Sequence, residues 1–279
     1  MKSNRLVIAA VQMRFRASVD ENVAWIVETI RATAQAGADV VLFPECAVTS
    51  YNSDFAQLRP EALKAALGSV AKAARAARCH VLVGTPTVSR GRMFNSLVVI
   101  NRAGREVFCY SKIHLVPRER GDFTPGNRLA LFHLDGIACT AIICHERRYP
   151  ELVRLPVMMG ARIVFHPNAG LDSLAVSKSK RSGRDGIAVR AFENQVYYVF
   201  ANSVGPQGGG LWSAGDSKIV APDSSVLALA NNRDETVIQA EVDLSRAGSK
   251  YACEALQLPA FLRPHWNSML RACHRQLKR

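Results

Sequence analysis

An α/β fold, with mixed sheets and helices on their outer faces, is what this 279-residue sequence predicts. Three observations carry that expectation. Apolar, β-rich segments alternate with helical segments to about residue 200. Two short Gly-containing turns break the alternation and join neighbouring strands as hairpins. No linker, repeat or low-complexity stretch is long enough to divide the chain. Alternation favours parallel strands with crossover helices, hairpins impose antiparallel pairs, and together they require mixed sheets.

The elements follow in order. Residues 6–12 form an apolar strand, and Ser18 or Asp20 caps a helix to about residue 36, stopped by Gly37. Residues 40–43 are a short buried strand ending at Pro44. Pro60 suits the first turn of an Ala-rich helix over 61–77. A strand over 81–84 precedes two hairpins, 97–101 with 106–110 around Ala103-Gly104, and 129–134 with 138–143 around Asp135-Gly136. A helix over 150–159 ends at Gly160, a strand covers 163–165, a helix covers 184–194 and a strand 197–201. Short strands are expected near 218–220, 226–229 and 237–242. The glycine-rich stretch 205–210 lacks the spacing and following helix of a nucleotide cradle, so it reads as a flexible loop. Pattern weakens after residue 244. The domain is therefore set at 1–260, with 261–279 a basic tail whose Phe261, Leu262, Trp266, Met269 and Leu270 could cover a partner subunit. Apolar residues on more than one face of the helix over 150–159 point the same way, to a homodimer or larger homo-oligomer.

Hydrophobic residues make up 48 % of the chain, ample for a full core. No apolar run reaches the ~18–20 residues of a membrane span. The apolar stretch at 6–11 is shorter than the roughly 7–15 residues of a signal-peptide core, so an unprocessed, soluble start is expected. Seven cysteines form no CxxC pair and sit mostly in apolar segments, which suggests a reducing cytoplasm rather than a disulfide framework. The net charge of +13 is concentrated in Lys178, Lys180, Arg181 and Arg184 and in the tail. No nucleic-acid-binding module accompanies it, so nucleic acid is not expected as a partner.

Three places can carry chemistry. In AIICHERRYPE a buried strand ends at Cys144 just before a helix. A helix N-terminus and neighbouring cations there would favour the thiolate. In VVLFPE, Glu45 follows another buried strand, where partial desolvation would raise its pKa toward that of a general base. In YSKIHL, Lys112 ends a hairpin strand and could stabilise an oxyanion.

FPE at 43–45, YSKIHL at 110–115 and CHERRYPE at 144–151, in that order, resemble the Glu, Lys and Cys signatures of the nitrilase (carbon–nitrogen hydrolase) superfamily. AVQM at 10–13, ERGDFTPG at 119–126, GARIVFHPNA at 160–169, RAFENQVYYVFAN at 190–202 and GDSKIVAPDSSVLA at 215–228 extend the likeness over roughly 5–245. The resemblance implies a four-layer α-β-β-α sandwich, often paired into eight-layer dimers, and chemistry without metal or cofactor. It implies Glu45 as base, Cys144 as nucleophile, Lys112 with the His145 backbone N–H as oxyanion partners, and Glu119 as an accessory glutamate. Glu193 fits a buried structural role. Tyr51, His145, Arg147 and Asn168 are the expected substrate-binding residues. Three departures bear on substrate: Ser50 precedes Tyr51 where many members have glycine, Gly170-Leu171-Asp172 stands where many carry a tryptophan, and His145 replaces the aromatic that often follows the cysteine of strict nitrilases. The last favours amides over nitriles.

RR followed by an aromatic and PE also resembles the N-carbamoyl-amino-acid hydrolases. There Arg147 would bind a substrate carboxylate; its alternative is an ion pair with Glu146 or Glu151. An acyltransferase using the same thioester and a catalytically idle basic scaffold are the remaining alternatives. Retention of Glu45, Lys112 and Cys144 together argues against the scaffold.

Overall fold

The computed structural model describes residues 4–179 and 186–277. Its first half builds one sheet from β1 (Arg5–Gln12), β2 (Val40–Leu42), β3 (His80–Ser89), β4 (Arg92–Ile100) and β5 (Glu106–Ser111). The second sheet takes β6 (Phe132–Leu134), β7 (Ile137–Ala141), β8 (Ile163–Asn168), β10 (Tyr197–Asn202), β13 (Lys218–Val220) and β14 (Val226–Leu229). A small third sheet joins β9 (Asp172–Ser173), β11 (Val204–Gly208) and β12 (Leu211–Ala214). Finally β15 (Thr236–Asp243) returns to pair antiparallel with β1, giving the first sheet the order β15-β1-β2-β3-β4-β5. The second runs β14-β13-β10-β8-β7-β6. Both are mixed, as expected: β1-β2-β3 and β7-β8-β10 are parallel and the remaining pairs antiparallel.

Strand alternation sorts side chains into layers. In β1, Ile8 and Ala10 enter the core between the sheets, while Ala9 and Val11 meet helices. Those helices are α1 (Val19–Gln35) and α2 (Pro60–Ala77), which supply Ile26, Ile30, Leu63 and Val70. In β8, Ile163 and Phe165 face the first sheet, and Val164 faces α3 (Glu151–Met158) and α5 (Ile187–Asn194). The result is the four-layer α-β-β-α sandwich. Ser18 caps α1 with a full capping box to Glu21. Asp135 and Gly136 both have positive φ, the backbone that a two-residue type I′ hairpin demands.

Several expectations need correction. The strand placed at 81–84 runs on to Ser89 and turns at Arg90-Gly91 into β4. Pro86 is tolerated in it because β2 pairs only with residues 80–82, so no β2 strand needs the missing N–H at 86. The stretch 205–210 is not a loop but part of the β11–β12 hairpin, with positive-φ glycines 208–210 making the turn. Beyond residue 244 the chain forms α4's later counterparts, α6 (Lys250–Ala255) and α7 (Arg263–Leu277); α4 itself is Leu174–Ser179. Trp266, Leu270 and Cys273, one stripe of α7, pack on the core that buries Leu152, Val153, Leu155, Val157 and Met158 of α3. The apolar surplus of α3 is thus covered within this chain, while Phe261 and Met269 stay exposed. Glu193 is half-exposed and paired with Arg190 rather than buried. Lys180, Arg181, Arg184, Lys278 and Arg279 lie outside the described residues. Among the described residues, no helix is long and apolar enough to cross a membrane.

Candidate active site

Glu45 follows β2, Lys112 follows β5 and Cys144 follows β7. Strands from both sheets therefore deliver the three side chains to one end of the sandwich. Two glycines permit this. A Cβ on Gly84 of β3 would collide with the backbone of Pro44, Glu45 and Cys46, and one on Gly126 would collide with the Ser111 carbonyl. Gly126 N also donates to the Lys112 carbonyl at 2.8 Å.

Lys112 is fully buried and held between two carboxylates, with Nζ 2.8 Å from Glu45 Oε1 and 2.8 Å from Glu119 Oε1. Asn95 of β4 donates Nδ2 to the same two oxygens at 2.7 and 2.9 Å. Tyr51 donates its hydroxyl to Glu119 Oε1 at 2.8 Å, and the Val116 N–H donates to Glu119 Oε2 at 2.8 Å. Ala169 N–H donates to Glu45 Oε2 at 3.0 Å. Every carboxylate oxygen in the network has a donor, the condition for charge in a dry interior.

Burial raises the Glu45 carboxyl above its ordinary value; Lys112 opposes this and Glu119 adds to it. Burial alone would lower Lys112, but Glu45, Cys144 and Glu119 outweigh it and hold the ammonium protonated. Burial and then Glu45 push the Cys144 thiol up to about 12, against Lys112 and Arg147. The resting cysteine is therefore a thiol. This corrects the expected thiolate, because neighbouring cations do not offset desolvation and a facing carboxylate. A protonated thiol beside a carboxylate of raised pKa is suited to proton transfer between them.

Cys144 is partly exposed, with φ of 52°. It opens a 3-10 turn spanning Cys144–Arg148. A left-handed backbone at a non-glycine residue is uncommon and needs surrounding support. His166 supplies some, with Nε2 3.0 Å from the Cys144 carbonyl and Nδ1 2.9 Å from the Tyr198 hydroxyl.

The structure thus brings Glu45, Lys112, Glu119 and Tyr51 into one hydrogen-bonded network within electrostatic reach of Cys144. His145 is half-buried, its pKa lowered by burial, Arg148, Lys112 and Arg147. Arg147 is half-buried too, and its charge reaches Cys144. Among the described residues it pairs with neither Glu146 nor Glu151: Glu146 turns inward and is fully buried. Asn168 does not join the network. Its Nδ2 donates to Asn202 Oδ1 at 2.8 Å, although the next residue's N–H reaches Glu45. Asn95, Glu146 and His166 were missed from sequence. A polar residue inside the apolar run of β4 was the available signal for Asn95.

The sequence model of the carbon-nitrogen hydrolase family matches residues 7–251. An (R)-stereoselective amidase from Pseudomonas sp is 32 % identical over 217 residues, 77 % of each chain. A nitrilase from Pyrococcus abyssi is 31 % identical over 233 residues, 81 % of this chain and 84 % of that one. Among solved structures, a variant of the amidase from Nesterenkonia sp. AN1, showing covalent addition of the acetamide moiety of fluoroacetamide at the active site cysteine, superposes with a TM-score of 0.79 at 22 % identity, covering 94 % of this chain and 96 % of that chain. This chain belongs to the carbon–nitrogen hydrolase family, in the amidase-like branch of the nitrilase superfamily. It is a carbon–nitrogen hydrolase.

Proposed function

We propose that the protein hydrolyses a small amide through a thioester on Cys144. Glu45 takes the thiol proton as Sγ attacks the amide carbon. The tetrahedral oxyanion is held by Lys112 and by the His145 backbone N–H. Collapse breaks the C–N bond, and the proton on Glu45 leaves with ammonia or an amine. Glu45 then accepts a proton from water as its oxygen attacks the thioester carbon, releasing the carboxylic acid and restoring the thiol. Glu119, fixed by Tyr51 and Asn95, holds Lys112 in place.

The observation that carries this reading is the buried Lys112 between two carboxylates beside a protonated cysteine. A buried ammonium is little screened by water, and proton transfer to Glu45 removes one of the two carboxylate charges that offset it. The covalent adduct at the cysteine of the Nesterenkonia amidase supports the same nucleophile here.

A second reading refines the substrate. Arg147, half-buried near Cys144 and in no ion pair with Glu146 or Glu151, is available to a carboxylate-bearing amide or an N-carbamoyl amino acid. Ammonia release from primary amides, N-carbamoyl amino acids and nitriles tests both. Amides should turn over fastest and nitriles slowest. Turnover of nitriles alone would overturn the amide reading. Arg147→Gln should raise KM only for carboxylate-bearing substrates; an equal rise for neutral amides would remove the carboxylate role.

A further inference from the structure

Glu146 is fully buried, two residues past Cys144, and takes no part in the Glu45–Lys112–Glu119 network. Among the described residues it forms no ion pair with any cation. Its carboxylate is held by dipoles alone. Oε2 accepts the Ile143 N–H at 2.7 Å. Oε1 accepts the N–H groups of Ile113 at 2.7 Å and His114 at 3.2 Å. The Tyr110 hydroxyl lies 3.0 and 2.9 Å from the two oxygens.

The placement of these donors is what matters. Ile143 immediately precedes Cys144. Ile113 and His114 immediately follow Lys112, and Tyr110 stands two residues before it. One carboxylate oxygen therefore grips the end of β7, in the second sheet, and the other grips the segment leaving β5, in the first sheet. Among the described residues, no other side chain binds both backbones. Burial is costly for the charge: it pushes the Glu146 carboxyl up to about 7, although the Ile143, Ile113, His114 and Tyr110 donors pull it down. A group kept at that cost is doing something an apolar residue could not, because three backbone N–H groups around it need an acceptor.

We propose that Glu146 is a positioning residue that clamps the turn carrying Cys144 to the segment carrying Lys112, and so sets the distance between nucleophile and oxyanion partner. The clamp rests on the reading of Cys144 and Lys112 given above. It acts through the backbone, not on substrate. A misplacement of about 1 Å between reacting groups can cost ~10²-fold in rate.

Glu146→Gln keeps the shape but puts an NH₂ donor where one oxygen was. Whichever way the amide lies, that donor faces a backbone N–H. Two readouts separate register from fold. Amide turnover needs Cys144 and Lys112 in register, whereas alkylation of Cys144 by iodoacetamide needs only the thiol and its base. In the folded Glu146→Gln protein, kcat should fall ~10²-fold with KM changed little, while the alkylation rate stays within about threefold of wild type. Unchanged kcat would overturn the clamp. So would a parallel loss of turnover and alkylation, which would mean that Glu146 acts on the thiol itself. Should Glu146→Gln not fold, Tyr110→Phe decides. It removes one donor to the carboxylate and adds none, and a several-fold drop in kcat with alkylation preserved is expected. Wild-type kcat in Tyr110→Phe would then overturn the clamp. Wild-type enzyme that keeps its activity after complete alkylation of Cys144 would instead refute the underlying nucleophile.

Discussion

Two ends of the same short strand carry the same charge pattern and do different work. Beyond the end of β2, Lys112 sits between Glu45 and Glu119. Before its start, Arg102 sits between Asp39 and Asp135, with Nη2 2.7 Å from Asp39 Oδ1 and Nε 2.8 Å from Asp135 Oδ2. The first trio is dry, with side-chain exposures of 0 % for both Lys112 and Glu45; the second is wet, at 32 % for Arg102 and 44 % for Asp135. Burial reverses the outcome. At Glu45 desolvation dominates and the carboxyl is raised. At Asp135 desolvation acts the same way, but hydrogen bonds and charge from Arg102 and His80 win and the carboxyl is lowered. The wet trio is a clasp between the first sheet and the β6–β7 turn. The dry one holds the carboxylate and the cation to which the proposed mechanism gives the proton transfer and the oxyanion. A cation flanked by two carboxylates is therefore no functional signature until its exposure is known.

The largest expected effect tests whether the dry end is an active site at all. Cys144→Ala should lower amide turnover by at least about 10⁴-fold with melting unchanged, as removal of a covalent nucleophile does. Turnover close to wild type would dissolve the contrast between the ends. Next, Glu45→Gln and Lys112→Ala should each cost about 10²–10⁴-fold in kcat, measured by ammonia release. Arg102→Ala, the matching change at the wet end, should leave kcat alone.

Only the dry end of this contrast is legible in sequence. Glu45, Lys112 and Cys144 each directly follow a strand, so their delivery to one end needs only the strand directions. The supporting residues were not legible. Asn95 bonds a residue 50 positions away, and Glu146 stands among four ionisable neighbours, as a surface residue would. Its burial depends on Tyr110 and the 113–114 backbone, which only the assembled sheets bring near. The α7 helix was hidden for a similar reason. Its core-facing stripe, Trp266, Leu270 and Cys273, is only partly buried and lies in a basic background, so it reads as a surface tail until the core it packs on is assembled.

A third measurement follows the raised Glu45. The base works only when deprotonated, so kcat/KM should fall on the acid side at a pH above the ordinary 4.5 of a glutamate. Glu119 contributes to that rise through its charge, so Glu119→Gln should move the acid limb to lower pH, whatever it does to the maximum rate. A limb that stays put would detach Glu119 from the base. The smallest effect belongs to the wet clasp. Asp135→Asn should destabilise by only about 0.2–1 kcal/mol at pH 7, because the pair is exposed and screened. A lowered carboxyl stabilises the fold above its unfolded pKa and loses that contribution as pH falls through the folded value, so the penalty should vanish in acid. Denaturant melts of both proteins across pH check this; a penalty that grows in acid would contradict the assignment.

The pairing of β1 with β15, from Arg5↔Asp243 to Gln12↔Thr236, has a bearing on synthesis. While the chain grows, β1 can find β2 early, but its other flank stays bare until residue 243 has left the ribosome. For that interval an apolar strand shows an unpaired row of backbone donors and acceptors, a template for another nascent chain. Closing it requires a contact of very long sequence separation, the slow kind. Shortening the chain ahead of β15 would make the transient edge permanent, and such a product should aggregate rather than merely lose activity.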